Sequence, residues 1–509
     1  MIKRLTILTA LLLSLIASAE VSLPAIISSK MVLQRNSQAP IWGWADKGEK
    51  ITVAFGQQTK TTTANRETGE WMVKLDPMEA SSEPRAMTIK GENTIVLNDV
   101  LVGEVWLASG QSNMEWSFSK IAKEEKKLAA DQKDNPLLRA FHVPYHLTAS
   151  RPLADTIGWW KNCEEMATEP QLSAGHPTSV SAVGFFFALT LQKELNIPVA
   201  FIDANWGGRN IELFIPSEGY EAMGMETPKE PDLDIPAIGQ AYEAIAADAK
   251  KAADAVKNGR LVPLHINKAP ALGNADNGIY NAMIAPLTPF AIKGVIWYQG
   301  ESNRGANDYF NKLQALSAGW SKVFNVKDIP FYQVQIAPYA YNRGKQNALC
   351  DSIWAAQYKG AAEIPGMGIV AIHDTAIDIK NIHPIHKKPV GERLAAQALK
   401  NQYGKNIITQ GPRVSHATRK KSAVIVSFDH VDQGLSTIDG KAPTWFELSE
   451  DGTTFIAAEA AIKGNTVEVS ADGITAPSFV RMGWQETAIP TLQDKNGWPA
   501  FAFPAQKVE

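Results

Sequence analysis

Four short stretches of this 509-residue chain carry side chains suited to chemistry. The first is Gly110-Gln111-Ser112-Asn113-Met114-Glu115-Trp116, directly after the apolar run Val102–Ala108. A serine on the turn leaving a buried strand exposes its hydroxyl at the carboxyl edge of a sheet, with backbone N–H groups around it. Taken alone, the same turn is equally an ordinary helix start capped by serine. The second stretch, Asn205-Trp206-Gly207-Gly208-Arg209, follows the strand-like Val199–Ala204, and its paired glycines let a backbone N–H approach a developing oxyanion. The third, Trp297-Tyr298-Gln299-Gly300-Glu301-Ser302-Asn303, puts amide donors and a carboxylate on one turn after another apolar run. The fourth runs from Asp374 through Asp378 and Lys380 to His383-Pro384.

A serine early, a histidine late and carboxylates between them is the chain order of serine esterases on α/β sheets. His383 is the favoured base because Asn-Ile-His-Pro is a constrained setting, with His373 and His386 as rivals. Lys380 stands three residues before His383, so an Asp-x-x-His arrangement is absent. The third catalytic member is then Asp378, with Asp374 or a backbone carbonyl as alternatives.

These turns need strands to carry them. From about 101 to 408, strand-like runs alternate with helical ones, the pattern of an α/β domain with a central parallel sheet. The expected strands are Glu104–Ala108, Val199–Ala204, Gly294–Tyr298, Phe331–Ile336 and Gly368–Ile372; the expected helices include Val183–Glu194 and Pro389–Leu399. Residues 216–265 read as an insertion bordering the cleft, with a helix at Gln240–Lys257. Residues 20–100 are short alternating runs, among them Ala39–Trp44, Lys50–Phe55, Glu70–Leu75 and Asn93–Leu97, which predict a small β-sandwich with Trp42, Trp44 and Trp71 in its core. Alternation returns over 409–509, at Ser422–Phe428, Thr444–Leu448, Thr466–Ser470 and Ser478–Met482, predicting a second β domain.

Composition narrows the function. A net charge of −3 gives no basic field, which argues against nucleic acid as the partner. Residues 1–19 combine Lys3-Arg4, an apolar run to Ile16 and Ala17-Ser18-Ala19, the layout of a signal peptide. No later run is long enough to insert stably in a membrane, so a periplasmic or secreted protein is expected. The two cysteines, Cys163 and Cys350, form no C-x-x-C pattern; a disulfide and two buried thiols are both open. Zinc, phosphate-loop and dinucleotide motifs are missing, and no metal or organic cofactor is called for.

Gly-Gln-Ser-Asn-Met, Trp-Gly-Gly, Trp-Tyr-Gln-Gly-Glu-Ser-Asn and Ile-His-Pro, in this order, resemble the sialate O-acetylesterase family of SGNH-type serine hydrolases. Met31–Arg35 with Trp42–Ala45 resembles the family's leading β domain; Val426–Phe428 with Gly434-Leu435 resembles its trailing one. The resemblance implies an acetylated sugar or glycan substrate, Ser112 as nucleophile and His383 as general acid/base. It also implies an oxyanion hole drawn from the Ser112 N–H, Gly207 or Gly208, and Gln299 or Asn303. Glu301 and Arg209 are expected to bind substrate. Arg209 departs from the family's usual small residue: it either pairs with a substrate carboxylate or forms an internal ion pair with Glu212 or Glu218. Three other readings remain: an esterase of acetylated xylan or pectin, a non-catalytic carbohydrate-binding protein, and a glycosidase pairing Glu301 with Asp374.

Overall fold

Thr94–Gly110 is a single strand of seventeen residues, where the sequence reading placed two separate runs. Its burial explains its length. The first residues alternate between exposed and half-buried or, at Leu97, buried, while Val100 to Gly110 are buried without interruption. The first half therefore suits an antiparallel sheet wetted on one side, and the second a parallel sheet covered on both faces. The first half does pair antiparallel with Ser81–Lys90, and the second lies at the centre of the parallel array. One strand thus joins the two sheet regions into a mixed sheet of eleven strands. This computed structural model describes residues 20–144, 147–168, 180–229, 276–341, 349–431 and 433–509. The expected leader and the helix at 240–257 lie outside them.

Across the α/β part the strand order is Met367–Val370, Phe331–Val334, Gly294–Tyr298, Thr94–Gly110, Val199–Asn205, Leu138–His142 and Trp159–Asn162. All neighbours are parallel except the last pair, which is antiparallel. Those two final strands were not foreseen: Arg139, His142 and Lys161 interrupt their apolar pattern although all three are buried.

Helices cover both faces. On one face lie Ala182–Leu195 and Lys388–Tyr403, which meet so closely that a Cβ on Gly391 would stand 2.7 Å from the Val183 carbonyl oxygen. Here Trp106 packs edge-on to Phe187, with ring centres 5.1 Å apart. On the opposite face Trp297 contacts Phe214 and Trp320, the latter from helix Tyr309–Val323. In the leading β region Trp42 and Trp71 are buried, and Trp44 is half-buried.

The trailing region holds two four-stranded antiparallel sheets around an apolar core of its own that includes Val424, Val426, Leu448, Val467 and Val480. Phe501 docks it on Ile369 and Ala371 at the edge of the parallel sheet. Cys163 and Cys350 are both free and buried; burial pushes the Cys163 thiol up to about 12.

Candidate active site

The register of three adjacent strands brings the functional turns together. Gly110 is the partner of Asn205 on one side and of Tyr298 on the other. The residues that follow, Gln111-Ser112, Trp206-Gly207 and Gln299-Gly300, therefore leave the sheet side by side at its carboxyl edge. Gly110 has φ +139, and a Cβ there would stand 2.3 Å from the Tyr298 carbonyl oxygen, so only glycine allows this approach. Gln111 fastens the turn by donating its N–H to Tyr298 and accepting from the Ser302 N–H through its side chain.

Ser112 opens the single helical turn Ser112–Glu115, where its N–H has no acceptor within the helix. Its Oγ lies 2.9 Å from His383 Nε2. The imidazole stacks on Trp116, with ring centres 4.4 Å apart. Burial, then the Lys387 and Lys120 charges, pull His383 down to about 4, with Glu115 opposing. The ring is neutral at physiological pH and free to accept a proton. The rival histidines sit elsewhere: His373 is buried beside Asp374, and His386 faces Glu124 and Glu125.

Gly207 packs against Ser112, since a Cβ on it would stand 3.2 Å from Ser112 Cβ. Its N–H donates to Glu115 Oε2 at 2.6 Å. Gly208, with φ +69, faces open space. Gln299 and Asn303 are turned inward. Gln299 Nε2 donates to the Arg209 carbonyl and to Asn303 Oδ1, while Asn303 Nδ2 donates to Glu212 and its Oδ1 accepts from the Ile211 N–H. Both amides tie the glycine loop to the 299–303 turn.

Glu301 is buried, with Oε1 2.6 Å from Asn113 Nδ2, and burial raises its carboxyl. Asp378 is exposed and accepts the Lys380 N–H, capping its own turn. Asp374 is held bidentate by Arg393. Among the described residues the only hydrogen bond of the His383 ring is the one to Ser112. Arg209 is exposed and lies over the Trp206 ring at 4.2 Å. Glu212, one of its two suggested internal partners beside Glu218, is paired with Lys312 at 2.6 Å.

Sequence reasoning missed Asn113, Glu115 and Lys387. The first two lie inside the serine motif and read as part of its frame. A lysine four residues after the histidine gives no signal of burial, because lysine is ordinarily a surface residue.

Comparison with known proteins follows the same lines. A family model for carbohydrate esterases of the sialic acid-specific acetylesterase type matches residues 271–400. The sialate O-acetylesterase of Rattus norvegicus is 32% identical over 419 residues, covering 76% of this chain and 74% of the relative. The Homo sapiens enzyme is 28% identical over 415 residues, covering 76% and 72%. The crystal structure of a carbohydrate acetylesterase from Xanthomonas citri matches with a TM-score of 0.77 and 30% identity, over 95% of this chain and 99% of that one. The mixed sheet with its β-rich trailing region is therefore the fold of an ester hydrolase acting on acetylated carbohydrate. The chain belongs to the sialate O-acetylesterase family.

Proposed function

We propose that the chain removes acetyl groups from sialic acid, with Ser112 as nucleophile and His383 as general acid/base. The observation that carries this reading is the 2.9 Å contact between Ser112 Oγ and a neutral His383 Nε2 at the carboxyl edge of the sheet. The imidazole takes the Ser112 proton as Oγ attacks the acetyl carbonyl carbon. The Ser112 and Gly208 N–H groups face the tetrahedral oxyanion, and Gly207 joins them if Glu115 gives up its hold. His383 returns the proton to the departing sugar oxygen, leaving acetyl-Ser112. It then deprotonates a water as that water attacks the acetyl carbon, and the imidazolium returns the proton to Ser112 Oγ as the acyl bond breaks and acetate leaves.

In this reading Gln299, Asn303 and Glu301 position the loops rather than touch the oxyanion, because their polar groups face one another and Asn113. Asp378 stays outside the machinery, making a Ser-His dyad. Arg209, held over Trp206, offers its guanidinium to the sialic acid carboxylate. The α/β part is an SGNH-type three-layer domain spanning 101–408, between β domains at 20–100 and 409–509, and residues 1–19 direct export. No helix among the described residues is long and apolar enough to cross a membrane.

Acetate release from 9-O-acetylated sialic acid and from acetylated xylan, by wild type and Ser112→Ala, tests the proposal. Release from the sialic acid that vanishes in the variant is expected. Release from xylan alone keeps the mechanism and replaces the substrate; release that survives the substitution removes Ser112 from its role.

A further inference from the structure

Lys387 sits just before helix Lys388–Tyr403 with no exposed surface. Its Nζ donates to Asn113 Oδ1 at 2.6 Å and lies 5.4 Å from the centre of the Trp116 ring and of the Tyr298 ring. An ammonium has donors only, so it fixes which end of the Asn113 amide faces it. The Nδ2 end then has two acceptors, Glu301 Oε1 at 2.6 Å and the Ile382 carbonyl at 3.1 Å. Asn113 follows the nucleophile in the chain, and Ile382 precedes the histidine.

We propose that Lys387 is a positioning residue for the Ser112–His383 pair, acting through Asn113, which fastens the turn of Ser112 to the backbone just before His383. The inference rests on the serine-histidine reading above. Asn113 ties the nucleophile turn to the histidine loop and to the 299–303 turn, and Lys387 holds Asn113 in the one orientation that does so. A buried ammonium is costly unless compensated. Here Glu301 stands across Asn113, and Glu125 receives the Lys387 backbone N–H at 2.8 Å. Burial draws Lys387 down to about 7, with Glu301 and Glu125 opposing.

The cation has a second effect. Several charges surround the imidazole: Lys387 and Lys120 disfavour the imidazolium, and Glu115 favours it. From the helices and turns packed against Lys387, the titratable neighbours are Glu301, Glu125 and, beyond Glu125, His386. Lys387 therefore orients the dyad and holds its base neutral.

The test is hydrolysis of 4-nitrophenyl acetate, a probe independent of the sugar, from pH 4 to 9 by wild type, Lys387→Gln, Lys387→Met and Ser112→Ala. A methionine fills the space without a donor, so kcat should fall by about 100-fold with KM little changed, the cost of a small misplacement of reacting groups. A glutamine keeps an N–H for Asn113 and should recover most of kcat. In both variants the acidic limb should move to higher pH, because a charge that lowers His383 has gone. If both keep the wild-type kcat and limb, the proposal is wrong. It is also wrong if glutamine loses as much as methionine while the limb stays in place, since that marks a merely structural role. Should the methionine variant not fold, the limb of the folded glutamine variant, checked by NMR titration of the His383 ring, decides alone. Activity surviving in Ser112→Ala would instead overturn the serine reading, whatever the lysine variants do.

Discussion

The Glu115 carboxylate accepts the Gly207 backbone N–H at 2.6 Å, bridging the nucleophile turn and the glycine loop. The two turns leave neighbouring strands, and Glu115 is the side chain that holds them face to face. It also favours the imidazolium of His383 against two lysines. Glu115→Ala should lower kcat by roughly 10- to 100-fold, somewhat less than the loss of a whole oxyanion donor. Glu115→Gln keeps an acceptor for Gly207 and should lose less. Steady-state kinetics of the two variants check this; equal losses would mean that only the charge matters.

Asp378→Asn should change kcat/KM by less than about threefold. Removing the orienting function of a true triad aspartate costs about ten-thousandfold. The structure shows Asp378 exposed and bonded to the Lys380 N–H, so its amide counterpart alters a loop turn and little else. A loss of three orders of magnitude would restore it as the third member.

The acidic limb of activity should lie well below the usual histidine range. If His383 is the base it must be neutral, and it is drawn to about 4, so the rate should hold to about pH 5 and fall below it. Folding stability should fall with acid as well. His373 is fully buried and drawn from 6.5 to about 4, so the unfolded chain binds its proton first as pH drops. The associated stability is complete above pH 6.5 and is lost on descending toward pH 4, by about 3 kcal/mol. Urea unfolding at pH 7 and pH 4.5 measures it, and His373→Asn should reduce the difference, leaving the part that His383 contributes.

Arg209→Ala should raise KM for an acetylated sialic acid by about tenfold and leave a neutral acetylated sugar unchanged, since a charge-assisted pair contributes one to three kcal/mol. The guanidinium over Trp206 is exposed and follows Gly208, whose Cβ position is open. Equal effects on both substrates would exclude carboxylate recognition.

Gly110→Ala should destabilise the chain by several kcal/mol or prevent folding. Its φ of +139 and the 2.3 Å approach of the Tyr298 carbonyl leave a Cβ no room, and the obstacle is backbone. Thermal melting of the variant beside Gly208→Ala separates the crowded position from the open one.

Local rules within the chain determined much of this. Apolar runs of strand length predicted Gly294–Tyr298 residue for residue, and Val199–Ala204 to within one. Glycine-rich turns directly after such runs marked the stretches that meet at the carboxyl edge of the sheet, and a constrained Asn-Ile-His-Pro singled out the histidine that stands 2.9 Å from Ser112. These signals reach only a few residues, because periodicity and turn chemistry act locally. Partner choice is not local. The Ser112–His383 contact spans 271 positions, and it depends on Gly110 pairing with both Asn205 and Tyr298 in the sheet. Nothing in the spacing of Asp374, Asp378 and Lys387 tells where their side chains go. Packing turned the first toward Arg393 and the second to solvent, and drew the lysine beneath Asn113. Burial is a property of the assembled layers, so only the tertiary structure could set a lysine with no exposed surface against Asn113.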